Sequence, residues 1–100
     1  MKSTITIHLS GHIGTFAENK DIARDIRVKK IILALKQKKE VILDFKGVES
    51  ATQSFVHALI SELIREYGSE VLDSISFKNC SVTVRKIIGI VVDYMQQSDL

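Results

Sequence analysis

Three short runs of strand-forming residues alternate along this chain with three stretches of helical spacing, and that order restricts the fold more than any other feature. Thr4-Ile5-Thr6-Ile7-His8-Leu9 alternates polar and apolar residues and predicts a strand. Val41-Ile42-Leu43-Asp44-Phe45 is a short apolar run, the pattern of a central strand buried on both faces. A third strand is expected within residues 71–77. Residues 10–19, with Gly11 and Gly14, read as a loop. The spaces between the strands, and the stretch after the last, carry helical patterns. The succession strand, helix, strand, helix, strand, helix predicts an α/β fold: a small mixed or mainly parallel sheet with three packed helices and right-handed crossovers.

The second helix, 53–67, is the clearest. Val56, Leu59, Ile60, Leu63, Ile64 and Tyr67 recur at three- and four-residue steps and make one apolar stripe. Ser50-Ala51-Thr52-Gln53 offers a capping box ahead of it, and Gly68 can close it. Val84, Ile87, Ile88, Val91 and Met95 form the last stripe, with Asn79 or Ser81 as its cap. The first helix, over 20–38, does not fit one stripe. At about 100° per residue, Ile22, Ile26 and Leu33 share a face, while Val28, Ile31, Ile32 and Leu35 lie opposite. Either the helix breaks near Val28, or it offers a second apolar face to another subunit, making the chain a homodimer or a tight docking partner.

One hundred residues suit a single domain spanning 1–100. With 45% apolar and 26% charged residues the chain is neither disordered nor a membrane protein, and no apolar run approaches a span. The alternating N-terminus lacks the continuous apolar stretch of a signal peptide, and Cys80, the lone cysteine, cannot close an internal disulfide; a reducing cytoplasm is expected. Residues 20–39 hold eight basic and two acidic side chains, so this segment carries +6 and the rest −4. Such a segment is either a solvated helix face or a docking surface for an acidic partner. It lacks the interleaved aromatics of single-strand binders, so nucleic acid is not the expected partner.

The chemistry-bearing motifs of many enzymes are absent: there is no Walker loop and no dinucleotide fingerprint. His8 and His12 straddle a glycine and lack an acid or Cys cluster, so no metal is expected. His57 reads as a boundary residue and Cys80 as a buried structural thiol. The informative segment runs from Leu43 to Phe55. A strand ends in Asp44, a glycine turn follows, and a hydroxyl-rich helix start comes next. Open α/β sheets bind ligands and partners at the carboxyl ends of their strands, and a helix N-terminus tolerates an anion. Asp44 either does chemistry there or bonds loop amides. Thr52 and Ser54 either cap the helix or form a phosphorylatable, partner-contacting switch.

Leu43-Asp44-Phe45-Lys46-Gly47-Val48, followed by Thr52-Gln53-Ser54-Phe55, resembles the STAS superfamily of sulphate-transporter and anti-sigma-factor-antagonist domains. It is most similar to the bacterial STAS-like domain family, with Asp-Phe-x-Gly-Val, Thr-x-Ser-Phe and a Phe-x-Asn strand end, here Phe77-Lys78-Asn79. The resemblance covers about residues 20–97. It implies a sheet backed by helices, no enzymatic activity and no cofactor. It also implies regulation by binding a histidine-kinase-like ATPase, which in the antagonists phosphorylates a hydroxyl at an Asp-Ser-Ser-Gly helix start. This chain departs from that motif: Thr52 stands where the acid would be, and one of the two serine positions, Ser54, keeps its hydroxyl.

The resulting expectation is a non-catalytic, protein-binding regulator whose contact or switch residues are Asp44, Lys46, Glu49, Ser50, Thr52, Gln53 and Ser54. Two other readings compete: an immunity or antitoxin protein that masks a toxin with the basic helix, and a small hydrolase using Asp44.

Overall fold

The structure is a computed structural model that describes residues 3–97. Its main sheet has three parallel strands in the spatial order β1 (Thr4–His8), β3 (Glu40–Asp44), β5 (Ile75–Lys78). The fold is therefore α/β, and the expected central strand is central. Register aligns Ile5, Val41 and Ile75 in one row and Ile7, Leu43 and Phe77 in the next. These rows belong to the apolar core shared with the helices. Parallel strands added in one direction through right-handed crossovers receive their helices on the same face.

The opposite face of the sheet carries Thr4, Thr6 and Ser76, all exposed, around a half-buried Ile42. The run at 41–45 is thus buried on one face, not two. Its neighbours carry hydroxyl residues where a second helical layer would need apolar ones.

α4 (Gln53–Tyr67) and α5 (Val82–Gln97) contribute their stripes to the core as expected. Val56, Leu59, Ile60, Leu63 and Ile64 are buried, as are Val84, Ile88, Val91 and Met95, while Ile87 is half-buried and Tyr67 exposed. Each fully buried Leu or Ile contributes about 1.5–3 kcal/mol relative to exposure. Thr52 is the N-cap of α4, its Oγ1 accepting from the Phe55 N–H at 3.1 Å. The residue three positions after this cap is Phe55, which cannot return the bond, so no capping box forms. Gly68, at φ +81°, closes the helix by donating to the Ile64 carbonyl. Ser81 caps α5, its Oγ accepting from the Val84 N–H at 3.0 Å and donating to the Glu49 carbonyl at 2.9 Å.

The first long helix resolves its two-sided pattern in a third way. α2 (Lys20–Ile26) passes through a π-helical turn, Arg27–Ile31, into α3 (Ile32–Lys36). The Ile32 N–H reaches back five residues to the Arg27 carbonyl. This wider turn brings Ile31 under Ile26, so Ala23, Ile26, Ile31 and Ala34 are buried along one seam. The chain stays helical through Val28, with its α winding interrupted over Arg27–Ile31, and it leaves Val28 and Leu33 exposed. Ile31 is interior, Ile32 and Leu35 are half-buried, and Val28 stands exposed.

One local expectation is corrected and one is narrowed. Residues 10–19 hold the single turn α1 (Ser10–Ile13) and a two-residue strand, β2 (Phe16–Ala17). β2 pairs with β4 (Ser50–Ala51) in a separate parallel sheet, too short to announce itself by alternation. The third strand begins at Ile75, because Ser69–Ser74 forms a 3₁₀ helix in which Asp73 and Ser74 favour a turn.

Candidate functional site

The parallel register brings three strand ends together. His8 ends β1, Asp44 ends β3, and Lys78 ends β5, with Asn79 next. Asp44 is the hub. Its Oδ1 accepts from the Lys46 N–H and from the Asn79 Nδ2, each at 2.9 Å, and its Oδ2 lies 3.2 Å from His8 Nδ1. The carboxylate is 14% exposed and the imidazole 71%. Asn79 sits at φ +58°, a left-handed position that Asn accepts more readily than most residues and that aims its amide at Asp44. The Asn79 amide first, then the Lys46 N–H, and to a smaller degree His8 hold the Asp44 carboxyl below its ordinary range, against the opposing effect of partial burial.

Of the two readings of Asp44, the structure shows the loop-amide bond. The sequence does not assign the other two donors, Asn79 and His8, to Asp44. The signal for His8 was present: it ends the first strand pattern as Asp44 ends the second, and parallel pairing sets such positions side by side.

The remaining candidate residues divide. Thr52 spends its hydroxyl on the cap. Ser50 is half-buried in β4. Lys46 and Glu49 are exposed on the turn that carries Gly47 at φ +88°, where a Cβ would meet the Ser10 side chain at 3.3 Å. Gln53 and Ser54 are exposed on the first turn of α4 and line a groove of about 340 Å³ shared with α5. Its other walls are His57, Val91, Ile90 and Tyr94. Ile90 is 49% exposed and Tyr94 62%, so large apolar groups face solvent beside Ser54. The structure therefore joins Gln53 and Ser54 to two α5 residues that sequence reading left out, in a groove whose walls do not include Asp44.

His57 is half-buried, with its Nδ1 3.1 Å from Ser61 Oγ, as suits a boundary residue. Ser61 Oγ also donates to the His57 carbonyl. Cys80 is half-buried, and burial pushes its thiol pKa up, which disfavours the thiolate. Among the described residues no three His, Cys, Asp or Glu side chains converge to hold a metal, and no helix is long and apolar enough to cross a membrane.

A family model for the STAS-like domain of unknown function (DUF4325) matches residues 23–85. The chain belongs to this STAS-like family. No curated protein and no solved structure gives a significant match. The STAS-like match contains Asp44, Thr52, Ser54, Asn79 and Ser81, and so the strand end, the cap and the start of α4. It leaves out β1 with His8, and the α5 residues Ile90 and Tyr94. The Asp44–Asn79 bond thus lies wholly inside the STAS-like segment, while the groove beside Ser54 is completed by a part of the chain outside it.

Proposed function

We propose that this STAS-like chain is a non-catalytic regulator that binds a protein partner through the start of α4 and the adjoining face of α5. One observation carries the reading. Ser54 and Gln53 stand exposed beside an uncovered apolar pair, Ile90 and Tyr94, while the neighbouring hydroxyl of Thr52 is occupied as a cap. A polar rim around exposed aromatic and aliphatic groups is the usual anatomy of a protein contact.

Family resemblance favours a histidine-kinase-like ATPase as the partner, and Ser54 as the hydroxyl it would modify. Phosphate at Ser54 would add about −1.5 to −2 charges next to the positive end of a fifteen-residue helix, a place that accepts anions without unfolding. The same charge and its hydration shell would face a partner seated over Tyr94 and loosen the complex. Asp44 acts in this account as a clamp between strand ends, because its oxygens are engaged by three donors.

The test begins with a partner purified on the wild-type chain from its native cells. Affinity and melting are then measured for Ser54→Glu, Ser54→Ala and Tyr94→Ala. The reading expects Ser54→Glu and Tyr94→Ala to weaken binding by at least about tenfold with melting temperatures near wild type. Unchanged affinity in both variants would remove this surface from the function. Identification of the partner as a toxin would favour the immunity reading.

A further inference from the structure

We infer that the free edge of β1 is a docking strand for an extended, acidic peptide segment, which would add to the sheet as a fourth strand beneath the lysines of the π-helical turn. β1 is the terminal strand of the main sheet. Its inner backbone groups are identified by their bonds: the Ser3 carbonyl accepts from Glu40 N–H at 2.9 Å, and the Leu9 N–H donates to the Asp44 carbonyl at 3.0 Å. Backbone groups alternate sides along a strand, so those of Thr4, Thr6 and His8 point to the outer edge. Among the described residues no strand pairs with this edge, and such a row is a template for another strand.

Beside this edge lies a groove of about 300 Å³ between β1 and the first long helix, walled by Lys29, Lys30, Leu33, Gln37 and Lys39. Among the described residues no acidic side chain lines it. Lys29 and Lys30 are exposed, and Leu33 is 53% exposed. The wider turn at Arg27–Ile31 sets this arrangement: it brings Ile31 into the core and leaves the two lysines beside the edge strand. An added strand would present alternate side chains to that groove, where carboxylates meet lysines and one apolar group meets Leu33.

Charge also selects among occupants. A second copy pairing edge to edge about a two-fold axis would bring the same lysines against one another. A nucleic acid would satisfy the lysines but make no use of the strand. The surface shares no residue with the groove at Ser54, so either can fail without the other.

The probe is an end-capped peptide, Thr-Glu-Thr-Val-Thr-Glu-Thr, titrated into isotope-labelled full-length protein with amide exchange read residue by residue. Binding should slow exchange of the Thr6 and His8 amides, and the same peptide with Lys in place of Glu should not bind. Thr6→Pro removes an outward donor at an edge, where proline is tolerated, and should weaken binding about tenfold, the worth of one main-chain hydrogen bond. Lys29→Glu with Lys30→Glu should weaken it by at least as much. If Thr6→Pro fails to fold, the exchange pattern of the wild-type complex decides. The proposal is overturned by no binding at millimolar peptide, by equal binding of the lysine peptide, by unaltered Thr6 and His8 exchange, by a protein dimer closed through β1, or by a single-stranded RNA oligonucleotide holding the site against the acidic peptide.

Discussion

The candidate segment 44–54 contains two halves built to opposite rules. At its start, Asp44 is engaged by a backbone amide, a side-chain amide and an imidazole, and the chain around it is fixed to both neighbouring strands. At its end, Gln53 and Ser54 face solvent beside exposed Ile90 and Tyr94. The turning point is Thr52, whose hydroxyl faces inward to the helix. The difference shows that a polar, motif-like run need not act as one site. Asp44 and Thr52 spend their hydrogen-bonding capacity on the fold, whereas Gln53 and Ser54 stay exposed at the surface.

Neighbouring substitutions can break this division. Phe55 is wholly buried, one residue from exposed Ser54. Phe55→Ala should cost about 3–5 kcal/mol in chemical denaturation, against less than about 0.5 for Ser54→Ala. Comparable losses at the two positions would mean that the start of α4 is not divided. Thr52→Ala should cost about 0.5–2 kcal/mol by leaving the Phe55 amide without its cap. A cost near zero would return Thr52 to the exposed half.

The clamp at Asp44 has a signature in acid. Its folded pKa lies below the unfolded value of about 3.9, so the carboxylate contributes stability that is fully present above that pH. This contribution is lost as pH falls through the folded pKa. Wild type should therefore exceed Asp44→Asn in melting temperature at neutral pH and converge on it in acid. Two curves that stay parallel through the acid range would show that the charge of Asp44 contributes nothing. The smallest expected effect on the fold is at Ser54→Glu. An added carboxylate near a helix N-terminus stabilises by about 0.3–1 kcal/mol, so melting should hold or rise slightly.

Much of the architecture was legible because apolar spacing reports burial directly. The stripes of α4 and α5 follow from period alone, while the apolar run at 41–45 marks the central strand although only one of its faces is buried. The first helix resisted because a π turn changes the phase midway, and Ile26 and Ile31 look unrelated at 3.6 residues per turn although both are buried in the core. The second sheet was invisible because two residues cannot show alternation. Within the site, Thr52, Ser54 and Asp44 stood out by residue type. Asn79 could not be assigned to Asp44, because their contact is made by β3–β5 register across 35 positions of sequence. Ile90 and Tyr94 lie off the α5 stripe, and it is the packing of α5 beside the start of α4 that makes them walls of one groove.

The central claim is that the partner touches the open half and not the clamped half. Hydrogen exchange of the complex formed with the partner purified on the wild-type chain reads both in one measurement. The account predicts protection gained at residues 53–57 and 90–94, with residues 44–49 unchanged. Protection confined to 44–49, with 53–57 and 90–94 exchanging as in the free protein, would contradict it.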